Sequence, residues 1–244
     1  VVSGLFTEAG PLVSRVLAEL GGHRYLLSGR SLQWHRGFGT DEESAARDWR
    51  WRLYGLTNLP YRLESAGNFG EPLVPRANYA LMDFLYSRGS AQEAARWLGW
   101  ADVRLLMTRE KLPAEEAARG KGPGLIHDGT LLWQFYRVPG DPWRAVWLPP
   151  EAGALLPAGL PADAPAPGVP SGGPPAAGAP DLAAAAPLAF SREREDRFRV
   201  RGWTKAGWAY VAEPRWPGWR AWLGGRTLRT SPAFGAFQRF EVPE

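Results

Sequence analysis

The sequence predicts an α+β protein: an N-terminal α/β lobe with a small mixed sheet over residues 1–128, followed by a C-terminal antiparallel β-sandwich over 129–244. Three observations predict it. The first half mixes helical spacing of apolar residues with short aliphatic runs bounded by glycine. The last sixty or so residues alternate apolar and polar side chains. Between the two halves of the β region lies a tract, 150–187, dominated by Pro, Ala and Gly, whose composition cannot bury enough apolar surface to offset its ordering entropy and reads as a flexible insertion.

Leu12, Val13, Val16, Leu17 and Leu20 predict a first helix with one buried face, stopped by Gly21-Gly22. The run from His23 to Ser28 then reads as a short buried strand. A second helix is predicted from Asp41 towards Leu53, with Thr40 or Asp41 as N-cap and Glu42 and Glu43 in the first turn, where the helix dipole favours acids. Residues 54–73 form a long punctuated loop. Helical spacing returns over Arg76–Tyr86 and again over Ala91–Leu98, capped at Ser90 and closed at Gly99. The following run, Trp100–Thr108, is a strand, and a helix followed by such a strand is half of a βαβ unit. Leu20–Ser28 and Leu98–Thr108 are therefore expected as matching strands of one sheet.

From Leu131 to Leu148, two apolar runs flank Pro139-Gly140-Asp141-Pro142 and read as a hairpin joining the sandwich. Beyond the insertion, Phe198 and Val200 alternate with Arg197, Arg199 and Arg201. Ala236, Gln238, Phe240 and Val242 alternate with Phe237, Arg239 and Glu241. The stretch Trp208–Gly225 reads as strand, turn and strand. Pro fixes φ at the first central turn position and Gly accepts positive φ at the second, so Pro217-Gly218 predicts a type II turn.

Composition narrows the function classes. No run of about 18 apolar residues is present to form a membrane helix, and Val1-Val2-Ser3-Gly4 lacks the features of a secretory leader and is expected to belong to a longer protein. With no Cys, disulfides and thiolate metal sites are excluded. The net charge of +4 is interleaved with acids, as in Arg192-Glu193-Arg194-Glu195-Asp196-Arg197, which argues against a nucleic-acid partner. His23, His35 and His127 are too scattered for a metal motif, and no cofactor is expected. Gly120-Lys121-Gly122-Pro123-Gly124 lacks the Ser or Thr and the helix of a phosphate loop. Asp102 and Asp128 are the one carboxylate pair to weigh for glycoside hydrolysis, and nothing around them in sequence supports it.

The tryptophans carry the functional question. Alternation places Trp219 and Ala221 on one face of their strand and Arg220 and Trp222 on the other, so the two indoles cannot share a core. One is expected outside, where Trp beside Arg can stack on a sugar, lie at a membrane interface or pack by cation–π contact. Trp216, Trp219, Trp222 and Arg220 are the candidate glycan-contacting residues.

Four runs, Leu53–Asn58, Trp97–Thr108, Asp141–Trp147 and Glu213–Gly225, the most specific being PGWRAWLGG at Pro217–Gly225, resemble in that order the soluble region of YfhO-type bacterial membrane proteins, of the GT-C-fold class of lipid-linked-sugar glycosyltransferases. Here Gly224-Gly225 stands where the family has Asp-Gly, Pro142-Trp143-Arg144-Ala145 where it has Leu-Pro-Arg-Ala, and the Pro/Ala/Gly tract where it has a spacer. Both Gly-Gly and Asp-Gly suit a type I′ turn. The resemblance implies an extracytoplasmic accessory region without its own catalytic centre, partnered by the membrane-embedded portion of the same protein and by a glycan or lipid-linked sugar, in transfer of sugar from a polyprenyl-phosphate donor to a cell-envelope acceptor. Two other readings remain open: a secreted carbohydrate-binding β-sandwich using the tryptophans as a platform, and a non-catalytic structural module, which predicts a fully buried tryptophan cluster.

Overall fold

The structure, a computed structural model, describes residues 8–28, 40–53, 59–66, 80–81, 98–108, 124–127, 132–138, 142–154, 156, 158–159, 185–194, 196–202 and 205–243. The chain divides into two compact units, Val1–Val74 with Ser90–Pro142 and Pro75–Gly89 with Trp143–Glu244. Mixed α/β elements make the first and antiparallel strands dominate the second, as an α+β fold requires.

In the first unit, helix α1 (Pro11–Leu20) starts on a proline, whose fixed φ suits the first turn, and ends at Gly21. It buries Leu12, Val13, Val16 and Leu20, the face its spacing predicts, while Leu17 stays exposed. Strand β1 (Arg24–Leu27) is buried throughout. Helix α2 (Glu42–Trp51) is capped by Asp41, not Thr40: the Ser44 N–H donates to Asp41 Oδ1 at 2.9 Å, and the Asp41 N–H faces Ser44 Oγ in return.

That backbone bond, helped by the Ser44 hydroxyl, holds the Asp41 carboxyl below its ordinary value of 3.8. The cap's contribution is therefore complete above that value and is lost as pH falls through the depressed one. Asp41→Ala is expected to speed amide exchange in the first turn of α2 at neutral pH. The difference from the parent should vanish well below pH 3.8; an undiminished difference there would assign the cap to something other than the carboxylate.

A 3₁₀ turn (Leu59–Tyr61) precedes strand β2 (Glu64–Ser65), and strands β3 (Val103–Thr108), β4 (Gly124–His127) and β5 (Leu132–Arg137) complete the sheet. Its order is β2-β1-β3-β5-β4. β1 runs parallel to β2 and β3, and β5 runs antiparallel to β3 and β4. The expected pairing of the 20–28 and 98–108 segments is thus present, as β1 beside β3. The helical residues 98–100 run through Gly99, and the chain reverses instead at Asp102, with φ 61°.

Leu132–Arg137 does not form a hairpin with the strand after it. β5 lies between β3 and β4, with Trp133, Gln134, Phe135 and Tyr136 all buried, while strand β6 (Ala145–Leu148) is an interior strand of the second unit's sheet. Each is largely buried, so the backbone N–H and C=O groups on both of its edges need a strand beside them, and a two-stranded pairing would satisfy neither. The division consequently falls between Pro142 and Trp143, later than the expected 128.

The second unit continues with a short helix α3 (Pro150–Ala154) and strands β7 (Ala186–Pro187), β8 (Ala189–Arg194), β9 (Arg197–Arg201), β10 (Gly207–Val211), β11 (Ala221–Leu223), β12 (Arg226–Leu228), β13 (Thr230–Ala233) and β14 (Phe237–Val242). Four of these, with β6, form an antiparallel sheet in the order β13-β14-β10-β6-β7. The other four make two hairpins, β8–β9 and β11–β12. Together they supply the two layers expected of a sandwich, with hairpins in place of a second continuous sheet.

Alternation sets what lies between the layers. Ala209, Val211, Phe240 and Val242 face the hairpins and make a core with Ala145 and Leu188; Phe190, Phe198, Val200, Ala221, Leu223 and Leu228 close over it. On the sheet's other face Tyr210 meets Phe234 and Phe237 edge-on. There Arg239 lies over the Trp208 ring and donates to the Gly153 and Leu156 carbonyls at 2.5 and 2.7 Å. Burial lowers the pKa of the Arg239 guanidinium.

Both ends of the expected 150–187 insertion belong to the folded unit. α3 buries Ala152 and packs Gly153 so closely on Trp208 that an added Cβ would lie 2.2 Å from the ring. β7 pairs with Val146 and Trp147. Residues 160–184 lie outside the described residues, as do 54–58, 67–79 and 82–97, which hold the two ends of the predicted 54–73 loop and most of the two further predicted helices; the middle of that loop forms the 3₁₀ turn and β2. Among the described residues no helix is long and apolar enough to cross a membrane.

Candidate functional site

Strand β10 ends at Val211, and the chain then leaves the sheet along a path pinned by side chain and backbone. The Ala212 N–H donates to the Arg144 carbonyl at 2.9 Å, and the Arg215 N–H to the Ala236 carbonyl at 2.8 Å. Between them, the buried Glu213 carboxylate accepts from Arg144 on one oxygen and Arg192 on the other. The Arg144 guanidinium also lies 5.0 Å above the Phe190 ring. This triad holds the start of the Trp-rich stretch against both the sheet and the β8–β9 hairpin.

The Pro217-Gly218 turn is as expected: Gly218 has φ 93°, and the Trp219 N–H donates to the Trp216 carbonyl at 3.3 Å. It does not join two strands of one hairpin, however. β10 and β11 lie in different sheets, and the hairpin partner of β11 is β12 across Gly224-Gly225. Those glycines have φ 56° and 82°, the pair of positive angles that a type I′ turn requires.

Beyond the turn, strand alternation separates the two indoles. Trp219 turns inward and stacks on Phe198 with centroids 5.0 Å apart, and Phe198 lies 5.3 Å from Phe190. Trp222 faces outward and is 62% exposed, while Trp216, at the turn, is 44% exposed. A fully buried tryptophan cluster, the mark of a purely structural module, is therefore absent.

An open-sided groove of about 850 Å³ runs between the β8–β9 hairpin and the Pro217–Leu228 segment. Trp219, Arg220 and Trp222 line it; Trp216 does not. Of the four sequence candidates the fold thus brings three together. Phe198, Ala209, Phe240 and Val242 supply apolar wall, and Glu193, Asp196, Arg197 and Arg199 supply charge from the facing hairpin. Glu193 is engaged by Arg199, whose Nη2 lies 2.7 Å from its Oε1.

The residues of the β8–β9 side carry no motif, and sequence reasoning left them out. Their one signal was the period of two through Arg197, Phe198, Arg199 and Val200, which the structure reproduces with the arginines exposed and Phe198 and Val200 half-buried. A flat indole, an apolar wall and mixed charged groups in an open groove suit reversible binding of a ring-bearing polar ligand.

The Asp102 carboxylate is wholly buried and lies 2.7 Å from His23 Nδ1, which anchors the residue before β3 and leaves it no access to a substrate. Asp128 and His35 lie outside the described residues, as does most of the 120–124 glycine run. No group of three His, Cys, Asp or Glu that could hold a metal occurs among the described residues. No family model, curated protein or solved structure matches the chain.

Proposed function

We propose that this chain is the extracytoplasmic accessory region of a GT-C-like membrane glycosyltransferase, which moves sugar from a polyprenyl-phosphate donor to a cell-envelope acceptor, and that the groove of its β unit holds saccharide. The supporting observation is the exposure of Trp222 on a groove wall built from the Pro217–Gly225 run, the same run that carries the resemblance to the YfhO-type proteins. An indole stacks on the apolar face of a sugar ring while Arg220 and the facing polar groups take its hydroxyls.

Trp222→Ala removes an exposed side chain and should leave the fold intact. A Trp anchor at a binding surface contributes about 2 kcal/mol or more, so saccharide affinity is expected to fall at least about thirtyfold. In membranes carrying the intact protein, the variant should raise KM for the acceptor and leave turnover at saturating acceptor unchanged. Lost turnover under saturation would place the groove in the chemistry and sink the accessory role.

A self-standing carbohydrate-binding module would use the same groove, and the exposed Trp222 favours it equally. It differs in requiring no membrane-embedded partner. Glycan binding at full strength by the 244-residue chain, with no transfer activity associated with the gene, would select it.

A further inference from the structure

We infer that the groove is built for an acidic saccharide, its ring on Trp222 and its oxyanion between the arginines of the two hairpins; this rests on the saccharide reading above. In β8–β9, Arg194 stands directly across from Arg197. In β11–β12, Ala221 pairs with Leu228 and Trp222 with Thr227, which leaves Arg220 just before the first strand and Arg229 just after the second. All four arginines are exposed.

Like charges directly opposite each other on a sheet are destabilising. The β8–β9 pair stands beside a groove whose other wall carries Arg220, and arginines on both walls call for a shared counter-charge. On the β11–β12 side that charge is scarce. From Pro214 to Phe240 the sequence holds five arginines and no acid. Glu193, on the groove wall, is occupied by Arg199, and Glu213 is buried between Arg144 and Arg192. Asp196 remains beside Arg197, and no described carboxylate is bonded to Arg220 or Arg229.

A guanidinium presents a planar fork of donors that matches a carboxylate or phosphate oxygen pair, and such charge-assisted bonds are the stronger kind. Arg197 and Arg220 both line the groove with Trp222. An anion there offsets the positive charge of both walls at once, while the sugar ring covers the indole. A neutral sugar would satisfy the ring alone.

The test is calorimetric titration of the 244-residue chain with an oligogalacturonate and with its fully methyl-esterified form, which keeps the rings and removes the charge. The acid form is expected to bind about tenfold more tightly or better at low salt, with the advantage shrinking as salt rises. Arg220→Gln should bring the acid form down to the ester's affinity, and Arg226→Gln, on the same hairpin but outside the groove, should not. If Arg220→Gln fails to fold by near-ultraviolet dichroism, Arg197→Gln gives the same reading.

A phosphorylated oligosaccharide in place of the uronate distinguishes the kind of oxyanion preferred, and either preference over neutral sugar supports the inference. Equal affinity for acid and ester overturns it and leaves saccharide binding standing. No binding of any saccharide overturns both. Binding to phosphatidylglycerol vesicles but not to soluble oligosaccharide would assign the arginines and Trp222 to a membrane surface, and would also overturn it.

Discussion

Glu213→Ala is expected to destabilise the β unit by about 3–5 kcal/mol, the usual cost of removing one partner from a buried ion pair. The Glu213 side chain is 4% exposed and the Arg144 side chain 10%. Taking away the carboxylate leaves the Arg144 guanidinium in that setting with its countercharge gone, and releases Arg192 as well. Because the triad ties the residues after β10 to β6 and to β8, the loss should reach the groove, and saccharide affinity should fall with stability. Glu213→Gln keeps the shape and one acceptor and should lie between the parent and the alanine variant. Urea unfolding of the three proteins checks the order; an alanine variant within about 1 kcal/mol of the parent would mean that water already screens the triad.

Gly207→Ala is expected to cost about 3 kcal/mol, at the upper end for overpacking. The added Cβ would lie 2.4 Å from the Leu148 carbonyl oxygen and 2.7 Å from Trp147 Nε1. Neither gives way easily. Leu148 is fixed by its pairing with Trp208, and the Trp147 indole N–H donates to the Lys205 carbonyl at 3.2 Å. The variant should show a lower midpoint in urea and weakened amide protection along β6 and β10. A loss below about 0.5 kcal/mol would show that the two strands can separate there without penalty, contrary to their place at the centre of the sheet.

Much of the fold was legible because short-range physics decided it. The α1 stripe, the Asp41 cap, the Pro217-Gly218 and Gly224-Gly225 turns and the alternation in β9 and β14 each depend on a few neighbouring residues. Pairing partners do not. Pro139–Pro142 is good turn chemistry between two apolar runs, yet those runs go to different sheets because each needs two neighbours, a requirement set by distant strands. The same holds for Pro150–Ala154 and Ala186–Pro187, whose composition resembles the tract between them. Gly153 fits under Trp208, and Arg239, far along the chain, supplies donors to the helix's end.

The groove was half legible. Alternation told Trp222 from Trp219, and the tryptophan density marked the stretch. What faces it could not be read, since Asp196, Arg197 and Phe198 reach the groove only through the packing of one hairpin over the sheet. The interleaved charges that argued against nucleic acid are, in the fold, an exposed row of arginines with one of the acids already engaged.

The five-stranded sheet of the β unit ends on both sides in a proline-containing strand, β13 with Pro232 and β7 with Pro187. A proline offers no N–H, so neither border can present an unbroken row of donors to a strand arriving from another molecule. Among the described residues, then, the borders of this sheet are poor templates for a strand from a second copy, and edge-to-edge joining through them is disfavoured.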